Sequence, residues 1–151
     1  MSWQPLSSAA ILAVMDERVE LLRRAYETFN AGDADYALFH PEIRIVQTSS
    51  LIGTAREFEG HAGLRRSSEE LNEGFADVRF EPEDYRELED GRMLVRCRFV
   101  GRGTRSGIEL DTPVWHIWSF RDGLLSRLEV YPSRRRALAA AATPSVPGQP
   151  S

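Results

Sequence analysis

The sequence contains no lysine; all 19 of its basic residues are arginine. That excludes Schiff-base chemistry, a pyridoxal-phosphate anchor and a phosphate-loop lysine. A single cysteine excludes internal disulfides and cysteine-based zinc clusters. Three histidines, scattered along the chain, suggest no metal site on their own, so neither a metal nor a cofactor is expected. No stretch approaches the roughly 18 apolar residues of a membrane span. The short apolar run Ala9–Met15 has no basic residue before it and leads into charged sequence, unlike an export signal. A cytoplasmic protein without a membrane partner is the expectation. Basic residues are also outnumbered, 19 against 23 acidic, for a formal charge of −4. That is the wrong sign for gripping phosphate backbones, so nucleic acid is not an expected partner.

What is present is globular composition: 151 residues, 42% hydrophobic and 28% charged, enough for one domain. Residues 1–7 read as a flexible lead, 8–138 as the domain and 139–151 as a disordered tail. Leu12, Met15, Val19, Leu22, Tyr26 and Phe29 fall at steps of three and four. They draw one apolar stripe along a helix that Ser8 caps and Gly32 stops. Asp33 then caps a short second helix through Phe39, terminated at His40 and Pro41. Ile43–Thr48 alternates as a strand, 49–60 reads as a loop, and His61–Asn72 forms a third helix stopped by Gly74. His61 belongs to the turn that starts this helix.

Beyond Gly74 the period changes to two. Val78 and Phe80 open a strand that Pro82 marks as an edge or bulge, with Tyr85 and Leu88 continuing it. The acidic residues along this stretch suit a solvated edge. Asp90-Gly91 and Asp122-Gly123 are hairpin turns, and the glycines at 101, 103 and 107 bend the sheet between them. From Ser133 an arginine- and alanine-rich helical stub follows. The order α-α-β-α-β-β-β-β predicts an α+β fold, with helices on one face of a curved, mostly antiparallel sheet.

Three segments, LLRRAYETFNAGD, FEGHAGLRR and RSGIELDTPVWHIWSFRDGLLSRLEVY, resemble in order and spacing the SnoaL-like (polyketide-cyclase-like) branch of the nuclear-transport-factor-2-like superfamily. The resemblance spans roughly Val14–Leu138. It implies a cone-shaped half-barrel, an apolar pocket for a small hydrophobic molecule, and a homodimer formed through the outer sheet face. The superfamily includes isomerases, cyclases, epoxide hydrolases, dehydratases and members with no chemistry, so activity does not follow from fold.

Strand alternation divides inward from outward side chains. Ile45 and Gln47 share a face. Met93, Val95, Cys97 and Phe99 point inward and leave Arg96 and Arg98 outside. Val114, His116 and Trp118 oppose Asp111, Pro113, Trp115 and Ile117, and Leu128 and Val130 fall together. His116 and Trp118 are assigned inward for two reasons. The resemblance to ketosteroid isomerase places that enzyme's acidic oxyanion donor at His116, and the face of Trp115 and Ile117 suits a partner subunit. Asp111 is expected to pair with Arg96 or Arg98, and Cys97 to be apolar packing.

The isomerase route needs a carboxylate base, a hydroxyl donor and a second donor for the enolate oxygen. By the resemblance the base position falls on Gln47, which cannot accept that proton, and the hydroxyl donor falls within one residue of Tyr26. A faithful ketosteroid isomerase is therefore not expected. Two readings stay open. In one, His116 is a general acid or base in a cofactor-independent isomerase, cyclase or hydrolase-type enzyme, with Tyr26 and Gln47 orienting a carbonyl. In the other, it is a buried polar residue satisfied by a neighbour in a non-catalytic binding module. The expected pocket lining is Phe29, Phe39, Phe58, Leu64, Val95, Cys97, Phe99, Val114, Trp118, Leu128 and Val130. A purely scaffolding chain would instead plug the pocket with Phe29, Phe39, Phe58, Phe75 and Trp118. With or without an open pocket, the homodimer is expected through Arg96, Arg98, Trp115 and Ile117.

Overall fold

The structure is a computed structural model and describes residues 8–48 and 56–143. Helix α1 (Ser8–Asn30) is 23 residues long, about 34 Å at the usual rise. It turns Leu22, Ala25 and Tyr26 into the core. Its end follows the sequence signal. Gly32 takes φ +76, its N–H donates to the Phe29 carbonyl, and the Asp33 N–H donates to the Thr28 carbonyl. These paired bonds form a Schellman cap, which needs a residue free to enter the left-handed region.

Two expectations fail next. No α-helix starts at Asp33. A single 3-10 turn, Tyr36–Leu38, forms instead, capped by the Asp35 carboxylate, which accepts from the Ala37 N–H. Only a turn forms because strand β1 (Phe39–Gln47) begins at Phe39 itself, so His40 and Pro41 lie inside a strand rather than ending a helix. The parallel pairing of β1 is irregular between Phe39 and Arg44, which accommodates the missing proline N–H. The second failure is the loop drawn through Gly60, whose last residues form strand β2 (Arg56–Glu59). With four residues and one buried side chain, Phe58, this strand carries too little alternation to stand out from a loop. The lead at 1–7, the rest of that loop at 49–55 and the tail from 144 lie outside the described residues.

Helix α2 (Gly60–Gly74), strands β3 (Phe75–Glu87), β4 (Met93–Gly103), β5 (Glu109–Arg121) and β6 (Leu124–Tyr131), and helix α3 (Arg134–Ala142) complete the chain. The strands form one sheet in the order β2-β1-β6-β5-β4-β3. It is antiparallel except for the β1–β6 pair. This curved, unclosed α+β half-cone is the expected architecture with one strand more. Pro82 sits on edge strand β3 at a register shift, as its chemistry requires. Asp122 and Gly123 both take positive φ, the signature of a tight hairpin turn.

The sheet has two apolar faces. The concave one packs under α1 and α2, around Tyr26, Ile45, Phe58, Val95, Phe99 and Trp118. The convex one holds Leu94, Ile117 and Tyr131 beneath Ala137 of α3. Ser133 caps α3 by accepting from the Arg136 N–H, and the helix runs to Ala142, past the boundary drawn at 138. It lies over part of the face expected to meet a partner subunit. Ile117 is 0% exposed because α3 lies over it, and Trp115 is half-buried beside it. Arg98 pairs with Asp111 across the strands, as expected, and Arg96 lies 3.7 Å from Glu83. Among the described residues, no helix is long and apolar enough to cross a membrane.

Candidate functional site

One row of side chains crosses the concave face: Tyr85 on β3, Val95 on β4, His116 on β5, Val130 on β6 and Gln47 on β1 are successive register partners. The register assigned from sequence is therefore correct, and His116 faces the helices. Helix α1 lays Tyr26 onto the middle of the row. The Tyr26 hydroxyl lies 2.7 Å from His116 Nδ1, and the Trp118 indole N–H donates to the same oxygen at 2.9 Å. Cys97 Sγ lies 3.4 Å from that oxygen and 3.7 Å from Nδ1. The Tyr26 and His116 rings are nearly parallel with centroids 5.8 Å apart, and the Phe80 ring stands 5.2 Å away on the far strand. Phe80 is itself held by Asn30 at the end of α1. The Asn30 side chain donates to the Phe80 carbonyl at 2.8 Å and accepts from its N–H at 2.9 Å.

The donor inventory of this cluster favours one arrangement of its protons. Trp118 can only donate, so one lone pair of the Tyr26 oxygen is taken. The Tyr26 proton then goes to the stronger and closer acceptor, Nδ1, and the Cys97 thiol donates to the Tyr26 oxygen. An imidazole that accepts at Nδ1 carries its proton at Nε2. His116 is 2% exposed, and Nε2 is buried with no hydrogen-bond partner. The site therefore holds one buried, unanswered N–H among apolar neighbours.

The electrostatics keep every member neutral. Burial alone pulls the His116 pKa down to about 3, with no charged neighbour contributing. Burial pushes the Cys97 thiol up to about 12 and holds Tyr26 well above the usual phenol value. A thiol so placed is packing rather than a nucleophile, as the sequence suggested.

Of the three residues proposed for chemistry, the fold brings two together. His116 and Tyr26 share a short hydrogen bond. Gln47 occupies the same row, but two strands from His116, roughly 10 Å by strand spacing, and no hydrogen bond joins it to either residue. Phe39, Phe58, Val95, Cys97, Phe99, Val114 and Trp118 are buried in the concave core. Leu64, Leu128, Val130 and Phe29 are half-buried, Phe29 against Phe80. Leu128, Val130 and Gln47 therefore form the less tightly covered side of the face. Phe75 also lies in this core, against Phe99.

Sequence reading missed Phe80 and Tyr85 as members of the site. Both lie on β3, where register shifts at 76–79 and 82–84 interrupt the alternation that would have revealed their face. Tyr85 is part-buried against the core, and its hydroxyl is pushed up to about 12, mainly by burial. The remaining histidines serve local structure. His61 Nε2 lies 2.9 Å from the Phe39 carbonyl, and His40 stands beside Arg121 and Asp122 at the rim. A groove of about 260 Å³ opens there, lined by Val14, Glu17, Arg18, Phe120, Arg121, Asp122 and Gly123. None of the His116 cluster lines it.

The geometry matches known proteins in fold. TerC, co-crystallised with polyporic acid, aligns over 84% of this chain and 99% of its own, at 20% identity and a TM-score of 0.67. Bal32a, from a soil-derived mobile gene cassette, aligns over 82% and 94%, at 20% identity and a TM-score of 0.68. A protein with a ketosteroid isomerase-like fold from Catenulispora acidiphila DSM 44928, in complex with trimethylamine, aligns over 83% and 94%, at 15% identity and a TM-score of 0.63. No curated protein matches the sequence. The model of the SnoaL-like domain matches residues 22–128, which hold α1 from Leu22, the 3-10 turn, α2 and the sheet row around His116 except Val130. With fold, register and family model in agreement, the chain belongs to the SnoaL-like domain family.

Proposed function

We propose that this SnoaL-like chain binds a small, neutral, largely apolar molecule on the concave sheet face and holds one acceptor oxygen of it on the His116 Nε2–H. A single observation carries this reading: Nε2 is buried without a partner while Nδ1 is fully engaged. A buried N–H left unsatisfied costs about 1–3 kcal/mol. A ligand carbonyl or ether oxygen that answers it recovers that cost as binding free energy. The groups touching His116 are Tyr26, Cys97, Trp118 and Phe80. None is ionised, which favours a neutral ligand over a carboxylate or an amine.

The same features favour one of the two chemical roles left open by the sequence. An imidazole whose pKa lies at about 3 is a poor base toward a carbon-bound proton. A neutral imidazole N–H is nonetheless a competent electrophile that polarises a carbonyl. Gln47 supplies no carboxylate. The arrangement therefore suits a substrate that carries its own nucleophile and needs its carbonyl polarised, rather than one from which the protein abstracts a proton.

The test is a set of neutral bicyclic ketones and lactones, each with its matched hydrocarbon and carboxylate, read by thermal shift and calorimetry against wild type and His116→Phe. Ketones and lactones should bind wild type at least tenfold tighter than their hydrocarbons, and His116→Phe should erase that margin. Preference for the carboxylates, or an unchanged margin in the variant, overturns the reading.

A further inference from the structure

The groove at the rim stands apart from the His116 cluster and carries its own chemistry. Its volume, about 260 Å³, is just under that of a drug-sized pocket and suits a smaller molecule. One of its cations is held in place from three sides. Arg18 Nη1 donates to the Gly91 carbonyl at 2.6 Å and lies 3.5 Å from Glu87. The guanidinium carbon stands 4.9 Å from the centroid of the Phe120 ring, which itself packs against the concave core. These polar contacts occupy one nitrogen of three. Among the described residues nothing accepts from Nε or Nη2, an edge with which arginine grips a carboxylate through two parallel bonds. Glu17, the preceding residue of α1, lines the same groove, and its carboxylate has no partner among the described residues. The other two charges are engaged. Arg121 donates to Glu42 and to His40, and Asp122 lies 3.4 Å from His40 Nε2.

We infer that this groove binds a free α-amino acid with an apolar side chain, its carboxylate on Arg18 Nε and Nη2 and its ammonium on Glu17. An occupant that answers a held guanidinium edge and an unpaired carboxylate at once carries both charges. A simple carboxylate would meet Glu17 and Asp122 as like charges, and a simple amine would meet Arg18 and Arg121. A zwitterion escapes both penalties and adds no net charge to a groove whose two arginines and two acids already balance. Val14 and Phe120, which also line the groove, give the side chain apolar surface to cover. This site is separate from the one on the concave face: Phe120 lies four residues along β5 from His116, about 13 Å at strand rise. The chemistries differ as well, since the groups around His116 favour a neutral ligand and those of the groove a doubly charged one.

Amide NMR titration of the full-length protein tests this with L-phenylalanine and L-leucine, with hydrocinnamate, which lacks the ammonium, and with phenethylamine, which lacks the carboxylate. Both amino acids should shift the amides of 14–18 and 120–123, leave those of Val95 and His116 in place, and saturate by about 20 mM. Hydrocinnamate and phenethylamine should bind at least about tenfold more weakly. Glu17→Gln breaks no contact among the described residues; it should weaken phenylalanine about tenfold and leave hydrocinnamate no weaker. Arg18→Gln should weaken phenylalanine and hydrocinnamate and leave phenethylamine no weaker. Should Arg18→Gln loosen α1, seen as amide shifts throughout the helix before any ligand is added, Glu17→Gln decides. Groove amides that stay in place up to about 20 mM, hydrocinnamate that binds as tightly as phenylalanine, or a Glu17→Gln protein with full affinity for phenylalanine overturns the inference. Shifts confined to the row around His116 would put the amino acid in the other site and overturn it equally.

Discussion

Tyr26→Phe is the most informative single change, because it removes one oxygen and keeps the ring. That oxygen answers the Trp118 indole N–H and supplies the proton to His116 Nδ1. Trp118 is 4% and His116 2% exposed, so water cannot replace it. Two buried polar atoms lose their partners at about 1–3 kcal/mol each, for a total of about 2–6 kcal/mol. Against a typical domain stability of about 5–15 kcal/mol this is severe. With a urea slope near 2 kcal/mol/M it moves the unfolding midpoint by about 1–3 M. His116→Phe should behave in the opposite way. It deletes the orphaned Nε2–H and lets the Tyr26 proton turn to Cys97, so the unliganded protein should lose less than about 1 kcal/mol, or gain stability. In the double variant only the Trp118 donor stays unpaired, and it should be more stable than Tyr26→Phe alone by about 1 kcal/mol or more. Urea unfolding of all four proteins closes the cycle. A Tyr26→Phe loss below about 0.5 kcal/mol, or a His116→Phe loss as large as that of Tyr26→Phe, refutes the proton arrangement.

Three further outcomes follow from the same geometry. His116 titrates near 6.5 when unfolded and at about 3 when folded, so its contribution to stability is whole above pH 6.5. It falls as pH drops, by about 1.4 kcal/mol per unit, over the window from about 6.5 to 3. The wild-type minus His116→Phe difference in unfolding free energy across that window should show this slope, and a flat difference contradicts it. Cys97, fully buried with its thiol pushed up to about 12, should resist a thiol reagent at pH 8 until the protein unfolds; labelling of the native protein within minutes would mean that the core opens. Asn30→Ala removes both bonds to the Phe80 backbone and should cost about 1–2 kcal/mol, while speeding exchange of the β3 amides more than those of β5; equal effects on both strands would deny Asn30 its local role.

The fold was legible where the signals are local and periodic. The α1 stripe with its Gly32 stop, the two Asp-Gly hairpins and the alternation along β4 and β5 all translated directly, and that alternation turned His116 inward. Failures occurred where tertiary pairing overrides a local cue. Asp33 and Pro41 look like helix punctuation, yet the backbone from Phe39 extends because β6 and β2 flank it on both sides. The four residues of β2 are too few to show a period. The β3 register shifts hid the inward faces of Phe80 and Tyr85, since one extra residue exchanges the faces of a strand. The Tyr26–His116 contact joins residues 90 apart in sequence. The resemblance brought both to notice, but their distance, the third and fourth partners Trp118 and Cys97, and the orphaned nitrogen belong to three-dimensional packing alone. The same holds for the convex face, where composition marked a helical stub from Ser133 without showing that it would run to Ala142 and cover Ile117.

The account rests on where the His116 proton sits, and nitrogen-15 NMR of the histidine side chains reads this directly. The unliganded protein should show a neutral His116 with the proton on Nε2, unchanged from pH 5 to pH 8, and the Nε2 resonance should move when a neutral ketone binds. A proton found on Nδ1, or an imidazole that titrates near 6.5, would contradict it.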